Sequence, residues 1–176
     1  MLSNIARENH DEARELRSLF EKHLRELYWG ETALLPLMGT AIKLACSKDL
    51  VELLMEHRAE ATGHINRLER IFSVIGLEPE TIPYEGLQCL IDEAENLEGQ
   101  TREGVVRDAA LIAVLQKIKH HEIACYGTMR AFAIALREED AIVLLERTLH
   151  EEKEADLALS HIAESHINIE AADKEI

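Results

Sequence analysis

Along most of the chain, apolar residues recur in alternating steps of three and four, the spacing that lines one face of an α-helix. A first such segment, over about residues 11–46, puts Leu16, Phe20, Leu24, Leu27, Glu31, Leu34, Met38, Ile42 and Ala45 on one stripe. A second follows the turn Ser47-Lys48-Asp49, where Asp49 and Glu52 have the spacing of a capping box, and runs to about residue 75 with Gly76 as its C-cap. Its stripe is Leu50, Leu53, His57, Glu60, His64, Leu68, Ile71 and Ile75. A third, ending near residue 136, carries Ile112, Leu115, Lys119, Glu122, Tyr126, Met129, Ala133 and Leu136. The fourth opens with Asp140 as its expected N-cap and runs to about residue 168 through Leu145, Leu149, Glu152, Asp156, Leu159, Ala163 and His166.

Residues 76–102 break the pattern with Pro79, Pro83, Gly86 and Gly99 around a short helical segment over residues 84–97. This connection is too long for a helical hairpin, and it brings the third helix in parallel to the second. The pattern therefore predicts an all-α protein, an antiparallel four-helix bundle with a long crossover that contains a short extra helix. Residues 1–10 read as an N-terminal extension, 11–168 as the bundle and 169–176 as a frayed tail. Pro36 removes the hydrogen bond to the Thr32 carbonyl and is expected to kink the first helix about one turn beyond Glu31.

Each stripe is interrupted near its middle by polar residues, which a plain bundle core does not favour. Glu31 and Glu122 lie at similar distances before their turns, and Glu60 and Glu152 at similar distances after theirs. With the two turns at opposite ends of the bundle, Glu31, Glu60, His64, Glu122, Glu152 and Asp156 converge at mid-height. Carboxylates gathered in a core repel one another and stay protonated or destabilise the fold unless cations neutralise them. An oxygen-rich set with one or two imidazoles suits a pair of Fe or Mn ions better than zinc. The match to the Glu-x-x-His pattern of bundle metal sites is partial, because Gly63 and Ala155 stand three residues after Glu60 and Glu152. Lys119 offers a different cation on the same face as Glu122, and with it a salt-bridged core free of metal.

Other polar residues fit around this set. His57 reads as a packed histidine or a hydrogen-bond partner of a ligand, and Tyr28 and Tyr126, each one turn from an acid, as packed aromatics with satisfied hydroxyls before hydroxyls that reach the site carboxylates. His120 and His121 straddle their stripe, and His10, His23, His150 and His161 read as surface residues. Gly30, Gly63 and Gly127 suggest close helix approach near the acids.

Composition sharpens the class. Apolar residues make up 47% of the 176 residues, aromatics only 4%, and there are three prolines, a balance that favours helices. A formal net charge of -15 without a basic run argues against a nucleic-acid partner. Cys46, Cys89 and Cys125 read as reduced thiols filling the core of a cytoplasmic protein, and no segment is long and apolar enough for a membrane.

Several segments resemble the YciE/YciF ferritin-like family. They are His57-Arg58-Ala59-Glu60-Ala61-Thr62-Gly63-His64 through Glu69, Val106 to Ala113, His120-His121-Glu122 through Thr128, and Glu151-Glu152-Lys153-Glu154-Ala155-Asp156. The resemblance spans roughly residues 19–164. It implies a ferritin-like bundle with a dinuclear metal site, a homodimer and an association with bacterial stress, the reaction being open. The chain departs from the family at His64, where Gln is usual, and at Lys119, where Glu is usual. The expected function is the handling of iron, peroxide or another small oxidant at two Fe or Mn ions. The alternative is a non-catalytic, metal-free dimeric stress protein in which Lys119 replaces the metal charge.

Overall fold

The computed structural model describes the backbone over residues 2–173 and the side chains over residues 16–173. Among the described residues every regular element is helical. The long helices are α1 (Leu2–Leu44), α2 (Lys48–Val74), α5 (Val105–Leu136) and α6 (Glu139–Ile162), with α3 (Glu85–Glu95) and α4 (Leu97–Gln100) in the crossover. A π-helical turn (Ala163–Ile167) leads from α6 into α7 (Asn168–Asp173). Helix α1 starts at Leu2 rather than near residue 11, since residues 2–10 contain neither proline nor glycine to stop it. It continues through Pro36. The surface role expected of His10 and the end of the tail, residues 174–176, lie outside the described residues.

Helix α1 packs on α2 and α5, and α6 packs on α2 and α5. Contacts at the ends fix the directions. The Asp108 carboxylate near the start of α5 accepts hydrogen bonds from the backbone N–H groups of Cys46 and Ser47, each at 2.8 Å. That joins the α1–α2 turn to the beginning of α5. At the opposite end Arg17 of α1 pairs with Glu138 in the α5–α6 turn. The two hairpins thus have their turns at opposite ends, and α2 and α5 run parallel, as the long crossover requires.

The helix starts correct the expected caps. Ser47, not Asp49, is the N-cap of α2 and makes no side-chain cap bond, and Glu138, not Asp140, precedes α6 in the same way. The wholly buried Asp108 carboxylate binds the N–H groups of Cys46 and Ser47, just ahead of the first turn of α2. Gly76 behaves as expected. At φ 77° it lets the Leu77 N–H reach the Phe72 carbonyl at 2.9 Å and the Gly76 N–H the Ser73 carbonyl at 3.2 Å, a Schellman closure. Arg137 makes the same closure at φ 59°, a left-handed conformation that side chains with a Cβ resist.

The apolar core is divided in two. One cluster holds Leu34 and Met38 of α1, Leu50 and Leu54 of α2, Leu111, Ile112, Val114, Leu115 and Ile118 of α5 and Leu159 of α6, together with Leu87 and Ile91 of α3. The other holds Phe20 and Leu24, Leu68 and Phe72, Tyr126 and Met129, and Ala141 and Leu145. Every long helix contributes to both, and between them each contributes buried polar residues. These are Glu31 from α1, His57 and His64 from α2, Lys119 and Glu122 from α5, and Glu152 from α6.

Two details depart from the stripes. The π turn inserts a residue, so Ile167 rather than His166 is buried. Cys46 and Cys89 are exposed and Cys125 half-buried, so the thiols are not core filler.

Candidate metal centre

Four helices deliver the polar layer, each because its apolar stripe gives way there to charged residues. Lys119 lies at its middle. Its ammonium donates to Glu122 Oε2 at 2.8 Å, one turn along α5, and to Glu152 Oε2 at 2.7 Å on α6. His64 occupies the other side. Its Nδ1 sits 3.1 Å from Glu31 Oε1 and 3.0 Å from Glu152 Oε1, and its Nε2 is 3.1 Å from Glu151 Oε2. The Tyr126 hydroxyl donates to Glu31 Oε1 at 2.6 Å. Glu31, His64 and Glu152 each offer a ligand atom within 4.8 Å of the other two.

The charges explain one another. Burial disfavours a charged imidazole, yet hydrogen bonds and charge from Glu152 and Glu31 outweigh it and raise His64 to about 10. Burial likewise opposes the Lys119 ammonium, while Glu122 and Glu152 hold it protonated above the ordinary lysine range. Burial works against the Glu152 carboxylate too, but Lys119 and His64 bring it down to about 2. Glu122 moves the other way, lifted well above the usual carboxylate range by burial and by the Glu152 charge despite Lys119. His57 is buried, its Nδ1 lacks a hydrogen-bond partner, and burial together with the Lys119 charge lowers it to about 4. It stays neutral beside the cluster.

Not every expected residue reaches this layer. Glu60 is exposed, because the buried positions of α2 run His57, Ala61, His64, Leu68, stepping four and then three where the sequence reading stepped three and then four. Asp156 turns to the edge, with Oδ2 3.4 Å from the Nε2 of the exposed His120 and Oδ1 buried without a hydrogen-bond partner. Tyr28 turns away from Glu31 and donates to Glu69 at 2.9 Å. Conversely, Glu151 joins the layer although no stripe includes it. It joins His64 to Arg67, which also donates to the buried Thr148 at 2.8 Å, and to Arg147 at 3.0 Å. Only its place beside Glu152 at the rim of the α6 stripe hinted at this.

The donor set fits one metal ion. Two carboxylate oxygens and an imidazole nitrogen converge in a buried site, with Glu152 Oε1 3.0 Å from His64 Nδ1. A second ion finds its oxygens taken, since Glu122 Oε2 and Glu152 Oε2 both hold Lys119.

Comparison with known proteins adds a family context. A family model described as a domain of unknown function, DUF892, matches residues 15–172. Protein YciF of Escherichia coli K12 is 32% identical over 160 residues, covering 90% of this chain and 96% of that protein. The crystal structure of the E. coli stress protein YciF superposes with a TM-score of 0.83 at 31% identity, covering 87% of this chain and 97% of the other. YcfI from Rhodopseudomonas palustris, provisionally described as a structural protein, gives a TM-score of 0.81 at 32% identity over 82% of this chain and 92% of its own.

Proposed function

The chain belongs to the DUF892 family, and from that premise we propose that it is a stress-associated bundle protein with a single Fe or Mn site at Glu31, His64 and Glu152. The Lys119 ammonium supplies the positive charge that a second ion was expected to bring to Glu122 and Glu152. The observation that carries this reading is the placement of Lys119 Nζ between Glu122 and Glu152, 2.8 and 2.7 Å away, beside a triad whose ligand atoms converge. A fixed ammonium supplies one positive charge and no redox chemistry. An Fe or Mn ion held by the triad would supply a redox-active centre for a small oxidant such as peroxide or oxygen. The chain's own part is to flank the layer with two apolar clusters, to orient Glu31 through Tyr126, and to hold the neighbouring carboxylates by Lys119.

His64 must give up a proton before a metal can take its Nδ1, so uptake competes with the imidazolium that Glu31 and Glu152 favour. A second reading draws on that same charge. Lys119 and protonated His64 neutralise Glu31 and Glu152 by themselves, and the layer then acts as a metal-free ionic tie between helices without a catalytic role. Dimerisation through an exposed apolar face belongs to either reading.

Metal content of protein purified without chelator and then offered Fe(II) or Mn(II), with Glu31→Gln and Glu152→Gln variants alongside, separates them. We expect close to one equivalent, lost in both variants. Two equivalents would restore the dinuclear reading, and none would leave the ionic tie.

A further inference from the structure

A cavity of about 290 Å³ lies between α1 and α5 beneath the crossover, and it connects the surface with the buried layer. Ala124, Thr128 and Tyr84, all on its wall, are exposed, whereas Glu31 and Glu122, also on its wall, are buried. Glu31 therefore belongs both to the cavity and to the triad, while His64 and Glu152 line only the triad.

The crossover is packed closely over it. A Cβ on Gly30 would come within 2.8 Å of Leu87 Cδ2, so this glycine sets how closely the crossover helix can approach α1. A Cβ on Gly86 would meet the Tyr84 ring at 2.8 Å, and the bare glycine lets that ring stack on His121 at 5.3 Å and 9° between planes. The crossover is tied down further by the Ile82 N–H on the Arg25 carbonyl and by Arg25 on Glu80, each at 3.2 Å.

The lining is acidic. Glu26 and Glu31 bring carboxylates, with Glu122 at the inner end and Lys22 3.5 Å from Glu26 outside it, and no lysine or arginine is among the lining residues. His23 faces Glu26 across 2.8 Å near the outer end, and His121 approaches the Cys125 thiol at 3.5 Å. A cleft lined by acids in a protein of net charge -15 concentrates small cations and repels anions. A volume of this size also admits water, which an ion needs as it sheds its shell.

Resting on the single-ion reading above, we propose that this cavity is the route by which a divalent cation reaches the triad, meeting Glu26 and His23 first and passing to Glu31. Glu31 then plays two parts, receiving the ion from the cavity and holding it with His64 and Glu152. Glu26 is a positioning residue at the entrance and no ligand of the final site.

The test follows Mn(II) uptake in time by loss of the free-ion electron paramagnetic resonance signal on mixing, with the final stoichiometry measured separately. Ala124→Trp fills the cavity from an exposed position, and Ala131→Trp places the same ring at an exposed position of α5 that does not line it. Glu26→Gln removes the outer charge. Ala124→Trp should slow uptake by about tenfold or more, the scale on which focused capture of ions operates, while the end point stays at one equivalent. Glu26→Gln should slow uptake and weaken its dependence on salt, and Ala131→Trp should match wild type. Uptake by Ala124→Trp at the wild-type rate, or equal slowing in Ala131→Trp, would overturn the route and leave the site standing. A wild type that takes up no Mn(II) would overturn both.

Discussion

Lys119 is bound by carboxylates from two helices, Glu122 on its own and Glu152 on α6, and this makes it the counter-charge of the layer. Replacing it by methionine leaves two buried acids without their cation, a loss expected to cost about 3 kcal/mol or more in urea denaturation of the metal-free protein. Replacing it by glutamate has a different consequence. Lys119→Glu exchanges the fixed ammonium for a ligand, and metal content should rise from one equivalent toward two. His64 sets the alkaline limit of the metal-free protein. Its folded value, raised to about 10 from 6.5, means that its stabilisation is complete below pH 6.5 and is lost as the pH rises through 10. Across that window stability should fall by about 1 kcal/mol per pH unit, and His64→Gln should flatten the slope. The acid limit has the opposite sign. His57 lowered to about 4 and Glu152 lowered to about 2 contribute stability above their ordinary values, 6.5 and 4.5, that disappears as the pH falls through 4 and then 2. Of this chemistry, the sequence showed the identity of Lys119 as an intruder, while the partner of Tyr126 is Glu31 of α1 and not Glu122 one turn away. It did not show which way Tyr28 turns, because a hydroxyl one helical turn from an acid can also reach a neighbouring helix.

Helix ends and helix phase decide which residues meet. Asp108 is an acid in the first turn of α5 whose carboxylate closes the α1–α2 turn instead of its own helix. Asp108→Ala should cost about 2 kcal/mol, read by thermal or urea unfolding, because two backbone donors lose their acceptor. Arg137 supplies the contrasting case. Arg137→Gly relieves the left-handed strain at φ 59° and should raise stability by about 0.5–1 kcal/mol. The caps expected at Asp49 and Asp140 lie inside their helices, which start earlier, at Lys48 and Glu139, behind Ser47 and Glu138. The phase error on α2 is of a related kind. Glu60 and Ala61 both lie within a turn of His57 and His64, and a period of 3.6 residues allows either to face inward. Packing chooses Ala61, which buries no charge. On α6 the π turn moved the last core position from His166 to Ile167, and a repeat counted in threes and fours has no mark for it.

At the scale of the whole molecule, two apolar clusters enclose one polar layer, and every long helix contributes to all three. This arrangement was the most legible part of the sequence. Four stripes broken at matching heights, with a crossover long enough to reverse one hairpin, leave few other ways to bring the breaks together. The contents of the layer were less legible, since whether an acid near mid-height points in or out depends on helix rotation. The layer ties the helices together by charge, and a metal ion bound there would add to stability by binding the folded chain alone. The most direct test is a crystal structure grown with Mn(II), with anomalous scattering used to locate the metal. The account predicts one peak among Glu31, His64 and Glu152, with Lys119 Nζ still between Glu122 and Glu152. Two peaks with Lys119 displaced, or a fully loaded crystal without a peak at the triad, would contradict it.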